Sequence, residues 1–428
     1  TGVPAAKSKH WALEADEAPS ATPVRRTITK REDIDSFLNS IVYNKGEALL
    51  VMFESRLGEE AMRQRVRHYI AQHASGNATA NDFLTALSEG GDAGTGAAFA
   101  SFLDQTGEPI VTAALSCDGS TPQVTLTQKP YSPIGHPGAA TNWQIPVCFR
   151  DDHHDQCVLL REPSMTVPLT GEACPAWLLV GSRGRGYYRQ HLSGALLKEA
   201  LASAVPAMTV VEKMTMLDDA RSLAQNGEMT ASDALAIAQR FAGDPDPRVA
   251  DASVSLVGRL AAWAPDRKRF AAFIRTLYGK QARDAGWQSL ASDSDDVRVL
   301  RRNRLALVTS YGDDGELGAQ AVPLAKKWLS DSKVIDPDLR ETILGIAVEF
   351  GGEAIEREVI DTIRKSTDRS QRQVLLNALG RAREPHALAD AMNLTLDPSI
   401  SIEESVPILY IAGADPRSLP AARAFAHD

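Results

Sequence analysis

Positive charge is in deficit: 46 lysines and arginines face 55 aspartates and glutamates, a formal net charge of −9. A surplus of anions repels phosphate backbones and acidic headgroups, which argues against nucleic-acid and membrane-surface partners. Long apolar runs are missing too. Leu178–Val180 and similar stretches break off far short of the ~20 residues of a spanning helix, so no segment reads as crossing a membrane. Residues 1–9 lack the apolar stretch of a secretory signal and carry no initiator methionine, and the last residues stop as if inside a helix. Both ends therefore read as cut, and the compartment is left open. Gly119-Ser120 completes no G-x-S-x-G elbow, which removes support for serine-hydrolase chemistry. Gly181-Ser182-Arg183-Gly184-Arg185-Gly186 follows a strand but lacks the Lys-Ser/Thr of a phosphate loop, so its glycines are expected to make a turn.

Cysteine is scarce. Cys117, Cys148, Cys157 and Cys174 fall within one third of the chain, and four cysteines allow three pairings. Cys148 and Cys157 flank a plausible hairpin turn and suit a cross-strand disulfide in an oxidising compartment, while buried thiols suit a reducing one. His153 and His154 lie between them with Asp151, Asp152 and Asp155, but the spacing fits no standard zinc module and reads better as a solvated hairpin loop.

What is present supports about three domains in 428 residues, with 43% hydrophobic residues to fill their cores. Residues 1–107 read as helical after a polar, Pro-containing lead-in. Ile41, Leu49, Leu50, Met52, Phe53 and Leu57 mark one buried helix face, residues 59–73 a second helix, and Thr79 an N-cap for the next. Residues 108–190 change period. Strand-like runs at 110–115, 124–127, 143–149, 157–160, 166–169 and 177–180 alternate with Pro, Gly, Asp and Asn clusters, the pattern of a small antiparallel β-sandwich. Residues 191–428 are helical almost without a break. Asp-rich turns at 244–247, 293–296, 336–338 and 368–370 separate pairs of amphipathic runs at intervals of roughly thirty to fifty residues, as in HEAT and armadillo solenoids. Arg301-Arg302-Asn303-Arg304 reads as a solvated basic face. The fold class is multidomain and mostly α.

Ile41–Glu60 reads IVYNKGEALLVMFESRLGEE. It resembles the aminopeptidase N family of gluzincin metallopeptidases, which carries a Tyr-x-Lys-Gly segment, an apolar helix and Leu-Gly-Glu. Four further landmarks follow in the family's order: the run from Tyr69 to Leu87, Gln105–Val111, Cys174-Pro175-Ala176-Trp177 and Gly186-Tyr187-Tyr188-Arg189. The resemblance spans essentially the whole chain. It implies that residues 1–107 are the C-terminal helical part of a thermolysin-like catalytic domain, followed by the β-sandwich and the solenoid.

The family's zinc ligands, an H-E-x-x-H helix and a downstream glutamate, precede the tyrosine segment. None of this chain's nine histidines stands in that arrangement. The resemblance therefore implies one zinc ion in the complete enzyme, none held by this chain's residues, and no peptidase activity for the chain alone. An N-terminal fragment carrying the zinc site is a further implied partner, and peptides with a free N-terminus are the implied substrates. Tyr43 is implied as the donor to the oxyanion of the tetrahedral intermediate, since a phenol is protonated at neutral pH and its ring is rigid. Leu38, five residues earlier, stands where the family lines the pocket for the first side chain. Lys45 reads as a solvated charge or a structural ion-pair partner, without a catalytic role. The rival reading is a non-catalytic interaction scaffold derived from the same family.

Overall fold

The computed structural model describes residues 3–18, 20–28, 30–31, 41–90, 94–118, 121–135, 141–171, 173–192 and 194–427. Leu38, Gly119 and Ser120 lie outside them. The chain divides into two compact units, residues 1–237 and 238–428. It is mostly helical, with two small sheets in the first unit.

The first unit opens on a helix, Val3–Asp16, where the sequence suggested a polar lead-in. Its buried residues Lys9, Ala12, Leu13 and Asp16 follow helical spacing. Two of those four are charged, so the face carries no hydrophobic signature. A π-turn, Ile41–Lys45, then runs into the helix Gly46–Leu57, which buries Ala48, Leu49, Met52 and Phe53. Gly58, at φ 86°, ends it and lets Glu59–Gln72 begin. Thr79 caps Ala80–Leu87 through a reciprocal box with Asp82, and Thr95–Leu103 closes the helical set with Phe99 4.9 Å from Phe53.

Seven strands follow: β1 Pro109–Ser116, β2 Gln123–Pro130, β3 Ile145–Asp151, β4 Asp155–Leu160, β5 Ser164–Pro168, β6 Leu178–Val180 and β7 Arg189–Leu192. They form one sheet of order β5-β2-β1-β7 and another of order β4-β3-β6. The first is mixed, because β7 runs parallel to β1. Helix was expected from residue 191 onward; His191 and Leu192 instead belong to β7 of the first sheet. The connection between β1 and β7 contains the whole second sheet, which supplies the long crossover a parallel pair requires.

In the β3–β4 hairpin Cys148 sits directly opposite Cys157, and the two form a disulfide; Cys117 and Cys174 form the other. Thiol and zinc alternatives for these residues are thereby displaced.

In the second unit three of the four Asp-rich turns cap helices through an aspartate, while at 293–296 the cap is Ser294, which accepts from the Val297 N–H. Asp246, Asp266, Asp314, Asp336 and Asp368 each accept a hydrogen bond from a backbone N–H of the first turn, for helices Pro247–Ala261, Arg267–Ala285, Gly315–Ser330, Pro337–Lys365 and Arg369–Leu379. Gly352, at φ 60° and ψ −162°, breaks the long helix 337–365 in a conformation essentially reserved for glycine. The basic cluster is not a solvated face. Arg301 is buried with its guanidinium 2.6 Å from Asp293, and Asn303 donates to Asp251 at 2.8 Å. Among the described residues no helix is long and apolar enough to cross a membrane.

Candidate functional site

Tyr43 is 62% exposed, although the elements around it are well packed. The π-turn explains how. Ile41 and Lys45, at its two ends, are buried, and Tyr43 lies between them on the opposite side of the turn. Single-turn π-bulges inside helices are frequent at functional sites because they redirect one side chain without ending the helix. Gly46 does not admit a close neighbour: a Cβ there would meet nothing within 4 Å.

Lys45 is fully buried. Its Nζ lies 2.7 Å from Asp16 Oδ2, itself fully buried at the end of the first helix. Nζ also donates to the carbonyls of Gln105 (3.1 Å) and Gly107 (3.5 Å), which uses all three of its hydrogens. Asp16 is equally occupied: Oδ2 also accepts from the Tyr187 hydroxyl at 2.9 Å, and Oδ1 from the Gly107 N–H at 3.0 Å. The Tyr187 ring lies beneath the ammonium, 5.5 Å from Nζ to centroid. Burial, followed by the charges of Asp16 and Glu108, holds the Tyr187 phenol well above its usual range, so it remains a donor to Asp16. Of the two meanings open to Lys45, the structure selects the ion pair.

Behind this pair lies a second charged core, built on the fully buried Arg189 of β7. Its Nε contacts Glu108 at 2.7 Å, Nη1 contacts Asp218 at 2.6 Å and Nη2 contacts Glu17 at 2.6 Å. Asp219, on the same helix as Asp218 (Val210–Gln225), accepts from the Gln190 N–H at 3.0 Å. Lys9, buried on the first helix, donates to the Gly184 carbonyl at 2.8 Å, in the glycine turn that the sequence suggested; Gly181 and Gly184 have φ near 70° there. Burial raises the Glu108 carboxyl well above its ordinary value and carries Asp219 to about 6. Burial also acts on Asp218, but Arg189, His10 and Arg221 outweigh it and hold that carboxyl low. Arg189 thus joins the first helix, β7 and helix 210–225.

Tyr43 and Lys45 were singled out in the sequence; Asp16, Glu108 and Arg189 were not, apart from the last two falling in landmark segments. The signal for Asp16 was its helical spacing from Lys9, Ala12 and Leu13, visible once a charged residue is allowed on a buried face. His153 and His154 occupy the β3–β4 turn with exposed rings, and their backbone N–H groups both donate to Asp151 Oδ1, at 2.7 and 2.6 Å. Among the described residues no group of three or more His, Cys, Asp or Glu is arranged to hold a metal ion.

Comparison with known proteins places these elements. Residues 4–105 match the family described as Peptidase family M1 domain, and residues 177–425 match the ERAP1-like C-terminal domain. Aminopeptidase N of Lactobacillus helveticus is 25% identical over 387 residues, covering 88% of this chain and 45% of the relative. Aminopeptidase 2 of Candida albicans is 22% identical over 411 residues, 94% of this chain and 44% of the relative. Glutamyl aminopeptidase of Mus musculus is 23% identical over 405 residues, 90% and 42% respectively. The chain thus spans less than half the length of these curated relatives. With an M1 segment at one end, and an ERAP1-like C-terminal domain over more than half of its residues, the chain belongs to the M1 aminopeptidase family.

Proposed function

We propose that this chain is the part of a zinc aminopeptidase that supplies Tyr43 as the hydrogen-bond donor to the oxyanion formed when an N-terminal peptide bond is attacked. The observation that carries the reading is an exposed phenol on a π-turn pinned at both ends, inside the M1-matched segment. An aromatic of that size is ordinarily buried, and a donor aimed at developing negative charge must be accessible yet held still. Peptides with a free N-terminus are the substrates that follow from the names of the relatives. A role for Leu38 in lining the pocket for the first side chain belongs to the same proposal.

Among the described residues none are grouped to fit a zinc site. The ion expected of the family would be held by residues beyond those described, on this polypeptide or on an N-terminal partner. We assign residues 1–107 to the helical part of a thermolysin-like catalytic domain, 108–190 to a β-sandwich and 191–428 to a HEAT- or armadillo-like solenoid. The two sheets and the successive capped helices support that division.

The test is Tyr43→Phe in the complete zinc-loaded protein, assayed on alanyl and leucyl chromogenic substrates. Loss of one oxyanion donor costs about two to three orders of magnitude in kcat, with zinc content unchanged. Full activity of that variant would remove Tyr43 from the mechanism. Assayed by itself with added zinc, the 428-residue chain is expected to show no turnover; clear turnover would place the metal ligands within it.

A further inference from the structure

We propose that Asp16 and Lys45 are positioning residues, whose buried ion pair locks the π-turn and thereby sets the direction of the Tyr43 hydroxyl. The inference rests on the role proposed above for Tyr43.

A π-turn is an α-helix with one residue inserted, and in isolation it is less stable than the regular helix. Something must oppose its annealing into the adjoining helix Gly46–Leu57. At one end Ile41 is buried. At the other, Lys45 is fixed by three acceptors whose own positions are fixed. The Asp16 carboxylate is held by three donors, and the Gln105 and Gly107 carbonyls belong to the segment leading into β1. Moving Lys45 would leave an ammonium and a carboxylate unpaired out of reach of water, which is strongly unfavourable. Absorbing the inserted residue would swing the side chains of the turn by roughly 100°, one residue of helical rotation. Tyr43, two residues from Lys45, would turn with them. A displacement of that size exceeds the ~1 Å that already costs about 100-fold when reacting groups are misplaced.

A cycle of Tyr43→Phe, Asp16→Asn and the double variant in the complete zinc-loaded protein tests this. Asp16→Asn is expected to lower kcat by about 10- to 100-fold with KM within about twofold, because peptide binding does not depend on the donor. In the Tyr43→Phe background the same substitution is expected to cost nothing further, since the group through which it acts is gone. An equal loss in both backgrounds would overturn the proposal and leave the role of Tyr43 standing. Full activity of Tyr43→Phe alone would instead overturn the reading of Tyr43.

Amide hydrogen exchange over residues 41–46 of the 428-residue chain supplies a measurement independent of catalysis. Asp16→Asn should speed it by about tenfold or more, and unchanged exchange would show that the pair does not hold the turn. Should Asp16→Asn fail to fold, Asp16→Asn with Lys45→Met removes both charges and keeps an amide oxygen to accept from Tyr187 or Gly107. That variant is expected to fold and still lose kcat; wild-type kcat in it would overturn the proposal.

Discussion

Two buried charges in this protein have opposite circumstances. In the first unit, Lys45 and Asp16 are sealed from water, yet every hydrogen of the ammonium has an acceptor and the carboxylate has three donors. In the second, Glu356 is 1% exposed, its Oε1 has no hydrogen-bond partner among the described residues, and its surroundings include Asp390, Glu353 and Glu384. Burial, followed by those three acids and opposed by Arg357, brings its carboxyl to about 7. A charge whose partners are complete dictates where neighbouring backbone goes. One without partners answers by changing its protonation state. The first kind stores geometry, and the second stores sensitivity to pH.

The comparison breaks most severely at Asp16. Asp16→Asn leaves Lys45 buried against a neutral amide, and removal of one partner of a buried pair costs about 3–5 kcal/mol. Urea unfolding of the chain reads that loss; a change below about 1 kcal/mol would mean the pair behaves as if on the surface. Replacing Lys45 with Met in the Asp16→Asn background should recover part of it, since no buried charge is then left without a counter-charge.

Glu356 sharpens the other side. Its folded-state pKa, about 7, lies above the ordinary 4.5, so the protein binds this proton more tightly when folded. The resulting stability is complete below pH 4.5 and is lost as pH rises through 7, an effect on the order of 3 kcal/mol. Glu356→Gln is expected to flatten the fall in unfolding free energy between pH 5 and pH 8. An unchanged slope would assign the pH dependence elsewhere.

The smallest expected effect calibrates both. The Thr79–Asp82 box uses hydrogen bonds as short as those of Asp16, with 2.7 Å from the Thr79 N–H to Asp82 Oδ2, but it is exposed. Thr79→Ala should cost about 1 kcal/mol by thermal unfolding. A loss as large as that of Asp16→Asn would show that bond geometry, and not burial, sets the scale.

Much of this was legible along the chain. The helices of residues 46–103 followed from apolar residues at helical spacing, and six of the seven strands from alternation and turn residues. The Asp-rich turns marked the breaks between helices, and at three of the four a carboxylate satisfies orphan N–H groups of the following first turn, a local bond between near neighbours. Cys148 opposite Cys157 was likewise a short-range matter of a hairpin. The first helix was missed because Lys9 and Asp16 interrupt its buried face, and β7 because residues 189–192, with an arginine and a histidine, do not look like an inner strand.

The sequence by itself determined the elements, their caps and the tyrosine segment that joins this chain to its family, because each is fixed by residues a few positions apart. Only the tertiary structure decided that Lys45 would meet Asp16, 29 residues away, and that Arg189 would meet Glu108, 81 residues away. A charge can be buried only where distant parts of the chain bring its counter-charges to it. That convergence belongs to the packed molecule, and it is what leaves Tyr43 pointing outward.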